Sequence, residues 1–162
     1  MDNSTPRHSF IYLLANARPQ AMAWVRGGRE APELSGLVKF YGTPYGGVLV
    51  EAEVFGLPNI RTQNSSSFYA MHIHNGTSCQ GNFAQIDGHY NPGNQPHPEH
   101  AGDLISLLGN QGYAWTAFYD KRFTPGEIIG KFVVIHAGPD DFTTQPSGNS
   151  GAMIACGEIR RE

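Results

Sequence analysis

The sequence is poor in charge, in cysteine and in long apolar runs. Charged residues make up only 15% of its 162 residues and the net charge is −3, whereas an average soluble domain has about 25% charged residues. The few lysines and arginines form no broad basic field, so we expect neither nucleic acid nor an anionic membrane as a partner. The longest apolar run, residues 10–15, is far shorter than the roughly 18 residues of a transmembrane helix.

A helical apolar period is also missing, because no 3.6-residue spacing persists for three turns without glycine or proline. Instead, 20 glycines and 11 prolines separate short segments rich in β-branched and aromatic residues, which is typical of strands joined by turns. We therefore predict an antiparallel β-sandwich or barrel with negligible helix. The eight predicted strands are 21–26, 34–41, 48–55, 68–74, 103–108, 113–119, 129–136 and 153–159.

Residues 1–17 are expected to form an N-terminal extension, and residues 18–162 a single domain. The tripeptide Ala15-Asn16-Ala17 resembles a signal-peptidase site. The apolar residues in front of it are fewer than the about 7–15 that a signal peptide needs. We therefore expect a cytoplasmic protein whose extension lies against the domain, with an exported and cleaved form as the alternative.

Two connections between predicted strands are longer than packing requires. Residues 75–102 contain no predicted strand, and residues 137–152 are rich in Asp, Thr, Ser, Gly and Pro. Loops longer than about 12–15 residues in a compact domain are usually functional or disordered. Most of the histidines lie in or beside these two loops, so we expect the loops to be functional.

Six of the seven histidines fall within residues 72–136. His72 and His74 lie two residues apart on a predicted strand, so both rings point to the same face, with Cα atoms about 6.6 Å apart. Imidazoles in such an arrangement suit copper or zinc, and an added carboxylate is common in zinc sites. A lone His-x-His pair more often consists of exposed histidines, or of histidines with partners in the core, than of metal ligands. The further candidates favour a metal site: His89, His97, His100, Asp103 and His136.

These residues and their neighbours resemble the copper/zinc superoxide dismutase family over about residues 18–159. His97 follows His89 by eight residues, as the family's next zinc ligand does. The resemblance implies an eight-stranded antiparallel Greek-key β-sandwich or flattened barrel with two long functional loops. The motifs that carry it are Met71-His72-Ile73-His74, Gly88-His89-Tyr90-Asn91-Pro92, His100-Ala101-Gly102-Asp103-Leu104, Val133-Val134-Ile135-His136, and Gly148-Asn149-Ser150-Gly151 followed by Ala155-Cys156-Gly157.

The resemblance also implies roles for individual residues. Asp140 corresponds to the family's carboxylate that joins a copper-site histidine to a zinc-site histidine, here His72 and His97; taken alone, Asp140 is more simply interpreted as a loop cap. His89 would be shared by both metals and act as the catalytic ring. The implied ligands are His72, His74, His89 and His136 for copper, and His89, His97, His100 and Asp103 for zinc.

The chain has only two cysteines, Cys79 and Cys156. Their spacing excludes a CxxC motif, and two isolated cysteines are more often buried thiols than a bond. The resemblance reverses this preference, because both residues fall where the family places its disulfide.

The sequence departs from the family at Met153, where the family has an arginine that holds the anionic substrate at the copper channel. Residues 137–150 also contain no lysine or arginine, whereas the family uses lysines there to steer superoxide. Lys121 or Arg122 is a candidate substitute for the missing charge. The segment over residues 74–79 corresponds to a region that helps to form the family's dimer contact, and it is short in this sequence. We therefore do not carry that contact over, and a homodimer stays open.

Two functions of different classes therefore remain. The first is an enzyme that dismutates superoxide at a copper/zinc pair, more slowly than its relatives because of Met153. The second is a noncatalytic copper- and zinc-binding protein on the same scaffold. The complete set of ligand positions favours the enzyme, because metal redox chemistry supplies most of the reaction and steering only adds to its rate.

Overall fold

A computed structural model describes residues 5–59 and 65–162, and antiparallel strands account for most of its regular structure. The elements in this part of the chain are α1 (Pro6–Asn16), β1 (Ala21–Gly27), β2 (Ser35–Gly42), β3 (Val48–Phe55), β4 (Phe68–Tyr69), β5 (Met71–Ser78), α2 (Gln80–Phe83), β6 (Gln85–His89), β7 (Leu107–Leu108), β8 (Ala114–Asp120), β9 (Phe132–His136) and β10 (Met153–Arg161).

Eight strands form one sheet in the order β6-β5-β9-β10-β1-β2-β3-β8, while β4 and β7 pair separately. The chain crosses from β3 to the far end of the sheet at β5 and returns from β6 to β8, beside β3, as a Greek-key arrangement requires. The predicted antiparallel β-sandwich is confirmed. Over the described residues the terminal strands β6 and β8 do not pair with each other, so the sheet does not close into a barrel.

The apolar core lies on the inner face of the sheet. On β3, Val50, Ala52 and Val54 are fully buried, and the strand period of two turns Glu51 and Glu53 outward. The same core cluster reaches the loop that carries several of the candidate ligands, through buried Tyr90, Ala101 and Leu104. The loop is therefore packed on the core at these three residues.

The prediction of negligible helix is wrong at α1. Pro6 begins this helix and is pre-organised for the first turn. On the sheet side, the Phe10 ring lies 4.9 Å from the Tyr119 ring and 6.0 Å from the Tyr45 ring. The helix has 11 residues and no buried side chain. Its apolar period is therefore too short and too weak to be recognised in the sequence. No helix in the described ranges is long and apolar enough to cross a bilayer.

The expectation that residues 75–102 contain no strand is also wrong. β5 continues to Ser78, and β6 pairs with it through an irregular register around Gly76. β6 is an edge strand with mostly exposed side chains, so it carries no alternating apolar pattern. The predicted strand over residues 103–108 is reduced to β7 and one isolated bridge between Asp103 and His72.

Candidate metal centre

Three neighbouring strands carry the first group of histidines. His72 and His74 lie on β5, which pairs with β9 on one side and with β6 on the other. His89 ends β6 directly opposite His74, and His136 ends β9. Strand register alone thus brings these rings together in the buried interior of the protein.

Each ring in this group presents one free nitrogen to a common point. His74 donates from Nδ1 to the carbonyl of Asp87 (2.7 Å), and His136 donates from Nδ1 to the carbonyl of Gly151 (3.1 Å). A carbonyl only accepts, so the proton sits on Nδ1 and Nε2 keeps its lone pair. The two Nε2 atoms lie 3.2 Å apart. This arrangement leaves both Nε2 atoms available as metal ligands.

His72 and His89 complete the group with buried nitrogens that have no hydrogen-bond partner, Nδ1 of His72 and Nε2 of His89. A buried polar atom without a partner is costly, by about 1–3 kcal/mol. A metal ion at the common point would satisfy both atoms. One ligand atom from each of the four rings lies within 4.8 Å of the others: His72, His74, His89 and His136.

A second group of four ligand atoms also meets the 4.8 Å limit: His89, His97, His100 and Asp103. The Asp103 carboxylate lies 2.6 Å from Nδ1 of His89 and 3.0 Å from Nδ1 of His97. Nδ1 of His100 lies 3.3 Å from Nδ1 of His89. Three imidazole nitrogens and one carboxylate oxygen make a donor set that suits a tetrahedral zinc ion.

The His89 ring takes part in both groups through different atoms. Its Nδ1 faces Asp103 and His100, and its Nε2 is the unpartnered atom beside the first group. One imidazole can bind two metal ions only if it loses both ring protons. The position of His89 between the groups therefore fits a ring shared by two cations.

Asp140 links the two groups from the opposite side. Its Oδ2 accepts from Nε2 of His72 and its Oδ1 from Nε2 of His97, both at 2.8 Å, and the carboxylate is fully buried. Each ring then presents Nδ1 to its own group. A carboxylate that holds a ligand ring in this way fixes its tautomer and its orientation.

Burial favours the neutral form of three rings in the first group, His72, His74 and His136. Burial lowers the pKa of His74 to about 3, and it lowers the pKa values of His72 and His136 below the usual range of histidine. The neighbouring histidines lower all three pKa values further. Burial alone would raise the pKa of Asp103, but its hydrogen bond to His89 and the nearby histidines hold it below the ordinary value. At neutral pH these three imidazoles have free lone pairs and the Asp103 carboxylate is charged, as metal ligands must be.

The predicted disulfide between Cys79 and Cys156 is confirmed. It lies in a small apolar cluster with Phe83, Phe132 and Val134. Met153 packs against this cluster and lies opposite His136 in the pairing of β10 with β9. The thioether of Met153 is therefore close in register to the first histidine group, and it offers no positive charge.

Arg122 is engaged elsewhere. Its guanidinium pairs with Asp120 and donates to the backbone of the loop that carries the second group. Sequence reasoning missed this contact, and it also missed Gln145. The side chain of Gln145 accepts from the backbone N–H of His97 (3.0 Å) and donates to its carbonyl (2.6 Å). No local sequence pattern predicts either contact, because each contact joins residues far apart in the chain.

Comparisons with known proteins identify the family that this chain is similar to. The family model described as copper/zinc superoxide dismutase matches residues 34–159. The extracellular superoxide dismutase [Cu-Zn] of Rattus norvegicus is 30% identical over 155 residues, which cover 90% of this chain and 61% of that protein. The chain thus spans about three fifths of that relative's length. Superoxide dismutase [Cu-Zn] 2 of Aquifex aeolicus is 32% identical over 139 residues, with 70% and 72% covered.

A solved structure of a SOD-like protein from Bacillus subtilis is also similar. It superimposes with a TM-score of 0.69 at 25% sequence identity, over 85% of this chain and 96% of that one.

Proposed function

Because the chain belongs to the copper/zinc superoxide dismutase family, we propose that it converts superoxide to dioxygen and hydrogen peroxide at a copper/zinc pair that shares the ring of His89. The observation that carries this proposal is the double role of His89. Its Nδ1 faces the carboxylate-containing group, while its buried Nε2 has no protein partner. A ring placed only for packing would not leave such an atom unsatisfied.

The donor sets distinguish the two ions. The group with only imidazole ligands suits copper, and the group that includes Asp103 suits zinc. Asp140 then holds one ligand of each ion, His72 and His97. The proposed copper ligands are His72, His74, His89 and His136, and the proposed zinc ligands are His89, His97, His100 and Asp103.

When bound, copper supplies the one-electron redox chemistry that oxidises one superoxide and reduces the next, and zinc supplies the positive charge that fixes the shared ring. The chain itself supplies the proton carrier. Nε2 of His89 can take up one proton from solvent in one half of the cycle and donate it to the peroxide product in the other, and solvent supplies the second proton of hydrogen peroxide. Its Nδ1 meanwhile stays on the side of Asp103, so the ring keeps its orientation throughout.

Met153 lowers the expected rate. An arginine here would attract a superoxide anion, whereas a thioether has no charge and is only a weak acceptor. Local positive fields raise association rates by about 10- to 1,000-fold. We therefore expect measurable but slow dismutation that depends weakly on ionic strength. The same residue favours the second candidate function, a noncatalytic copper- and zinc-binding protein.

The deciding experiment loads the protein with copper and zinc, measures both metals per chain, and follows superoxide decay by stopped-flow spectrophotometry. We expect decay in proportion to bound copper. His136→Ala is the matched control, because it removes a proposed copper ligand and leaves the second group intact. Full copper occupancy without superoxide decay would instead establish the metal-binding function.

A further inference from the structure

The loop that carries the second group needs support from outside its own sequence. Residues 97–103 supply three of the four atoms of that group, from His97, His100 and Asp103. They contain no regular strand or helix. On one side, the backbone of Gly102 is tied to β5 and its neighbourhood, because its carbonyl accepts from the N–H of Ile73 and its N–H donates to the carbonyl of Tyr90, both at 2.8 Å.

Arg122 holds the same loop from the other side. Nη1 donates to the carbonyl of His100 at 2.8 Å and to that of Pro98 at 3.4 Å, and Nη2 donates to the carbonyl of Asp103. The guanidinium thus reaches the backbone of two of the three loop residues in the second group. It contacts carbonyls rather than ligand side chains, so it fixes the loop without competing for ligand atoms.

Asp120 aims the guanidinium at the loop. Its carboxylate accepts from Nε of Arg122 at 3.0 and 3.1 Å and from Nη2 at 2.6 Å. It also accepts from the backbone N–H of Arg122 at 2.8 Å. Asp120 ends β8 and is 7% exposed, so the ion pair is anchored to the sheet. A charged pair of this kind in a partly buried setting is stronger than an exposed one.

We propose that Arg122 is a positioning residue of the zinc group, and that it raises zinc affinity by holding residues 98–103 in the binding geometry. This inference rests on the proposed function for the identity of the second metal. It also gives Arg122 a role different from that of a substitute for the missing arginine at position 153. The planar guanidinium with its several N–H donors matters as much as the positive charge, because a lysine ammonium cannot reach Asp120 and all three carbonyls at once.

The test measures zinc and copper affinities of the full chain separately, by competition with chromophoric chelators. Cobalt(II) absorption of the second group reports the ligand geometry. For Arg122→Met we expect zinc affinity to fall by about 10-fold or more, as for other residues that orient metal ligands. The cobalt spectrum should change and copper affinity should stay within about three-fold. Arg122→Lys should also lose zinc affinity, because it keeps the positive charge but lacks the planar guanidinium and its several N–H donors.

Lys121→Met is the matched control, since it removes the charge of the neighbouring exposed residue. It should leave both affinities unchanged. The inference is overturned if Arg122→Met binds zinc like the parent chain, if Arg122→Lys restores parental affinity in full, or if copper and zinc affinities fall together. Absence of zinc binding in the parent chain would contradict the proposed function and this inference with it. Tight zinc binding by the parent and by Arg122→Met alike would overturn this inference alone.

Discussion

The two groups of candidate metal ligands are built in different ways. The first group comes from strands: β5 supplies two rings, and β6 and β9 supply one each at their ends. The second group takes three of its members from an irregular loop, over residues 97–103. Backbone register therefore fixes the first group, whereas the second depends on side chains that hold the loop in place.

Those side chains come from two parts of the chain distant from the loop: the segment just after β8 and the connection over residues 137–152. Arg122 holds the loop carbonyls, Gln145 holds the backbone of His97, and Asp140 holds the ring of His97. Only Asp140 also touches the first group, through His72. The two groups should thus respond separately to most substitutions, and together to changes at His89 and Asp140.

The largest expected effect is a selective loss of one metal. His136→Ala removes a ligand of the strand-built group and should abolish stable copper binding, with zinc retained. Asp103→Ala should do the reverse. Each loss should exceed the roughly 10- to 100-fold typical of a residue that only orients a ligand. Elemental analysis after loading and dialysis measures both metals, and a His136→Ala protein with full copper would show that the proposed ligands are wrong.

The second-largest expected effect is a pH dependence of the free energy of unfolding of the metal-free protein. The pKa values of His72, His74 and His136 are lowered in the folded state, that of His74 to about 3, whereas unfolded histidine titrates near about 6.5. As the pH falls below that value, the unfolded chain binds protons that the folded chain does not, so the free energy of unfolding decreases.

Urea unfolding of the metal-free protein between pH 7 and pH 4 measures this dependence. Each unit of pKa shift corresponds to about 1.4 kcal/mol, and the three rings shift in the same direction. The loss of stability should therefore be large, and smaller in the triple variant His72→Gln, His74→Gln and His136→Gln. Equal pH dependence of the two proteins would mean that these rings are not held neutral by folding.

A smaller effect is expected from Asp140→Asn, which tests the link between the groups. The amide keeps the shape but has one acceptor oxygen, and its NH₂ group faces a ring N–H that must rotate or change tautomer. Both affinities should fall by about 10-fold or more. Parallel titrations with copper and with zinc measure them. Loss of only one metal affinity would show that Asp140 serves a single group.

The smallest effect is expected from Met153→Arg, which adds a positive charge at the position opposite His136 in the sheet and leaves the ligands in place. Superoxide decay should become several-fold faster, equivalent to about 1 kcal/mol in the barrier, and should slow more steeply with added salt. The comparison requires equal copper content in both proteins. An unchanged rate in a parent protein that already works near the diffusion limit would mean that another cation attracts the substrate.

The spacing of His72 and His74 predicts that their rings share one face of a strand, because alternate residues of a strand point the same way. His89 and His136 join this group through the family resemblance and not through spacing. The antiparallel sheet is predicted from a different signal, the short apolar segments between glycine and proline turns. Sequence prediction fails at β6, whose exposed side chains carry no pattern, and at α1, which buries no side chain. The supports of the loop, Arg122 and Gln145, depend on contacts between distant residues and leave no local signal.

Electron paramagnetic resonance of the chain loaded with copper(II) in the first group and cobalt(II) in the second tests directly whether His89 is shared by two metal ions. A single imidazole that binds both ions through its two nitrogens couples their unpaired electrons. We predict that the copper signal, present in the copper/zinc protein, is lost when cobalt replaces zinc at full occupancy of both sites. A copper signal of unchanged intensity, with both metals bound, would contradict the sharing of His89.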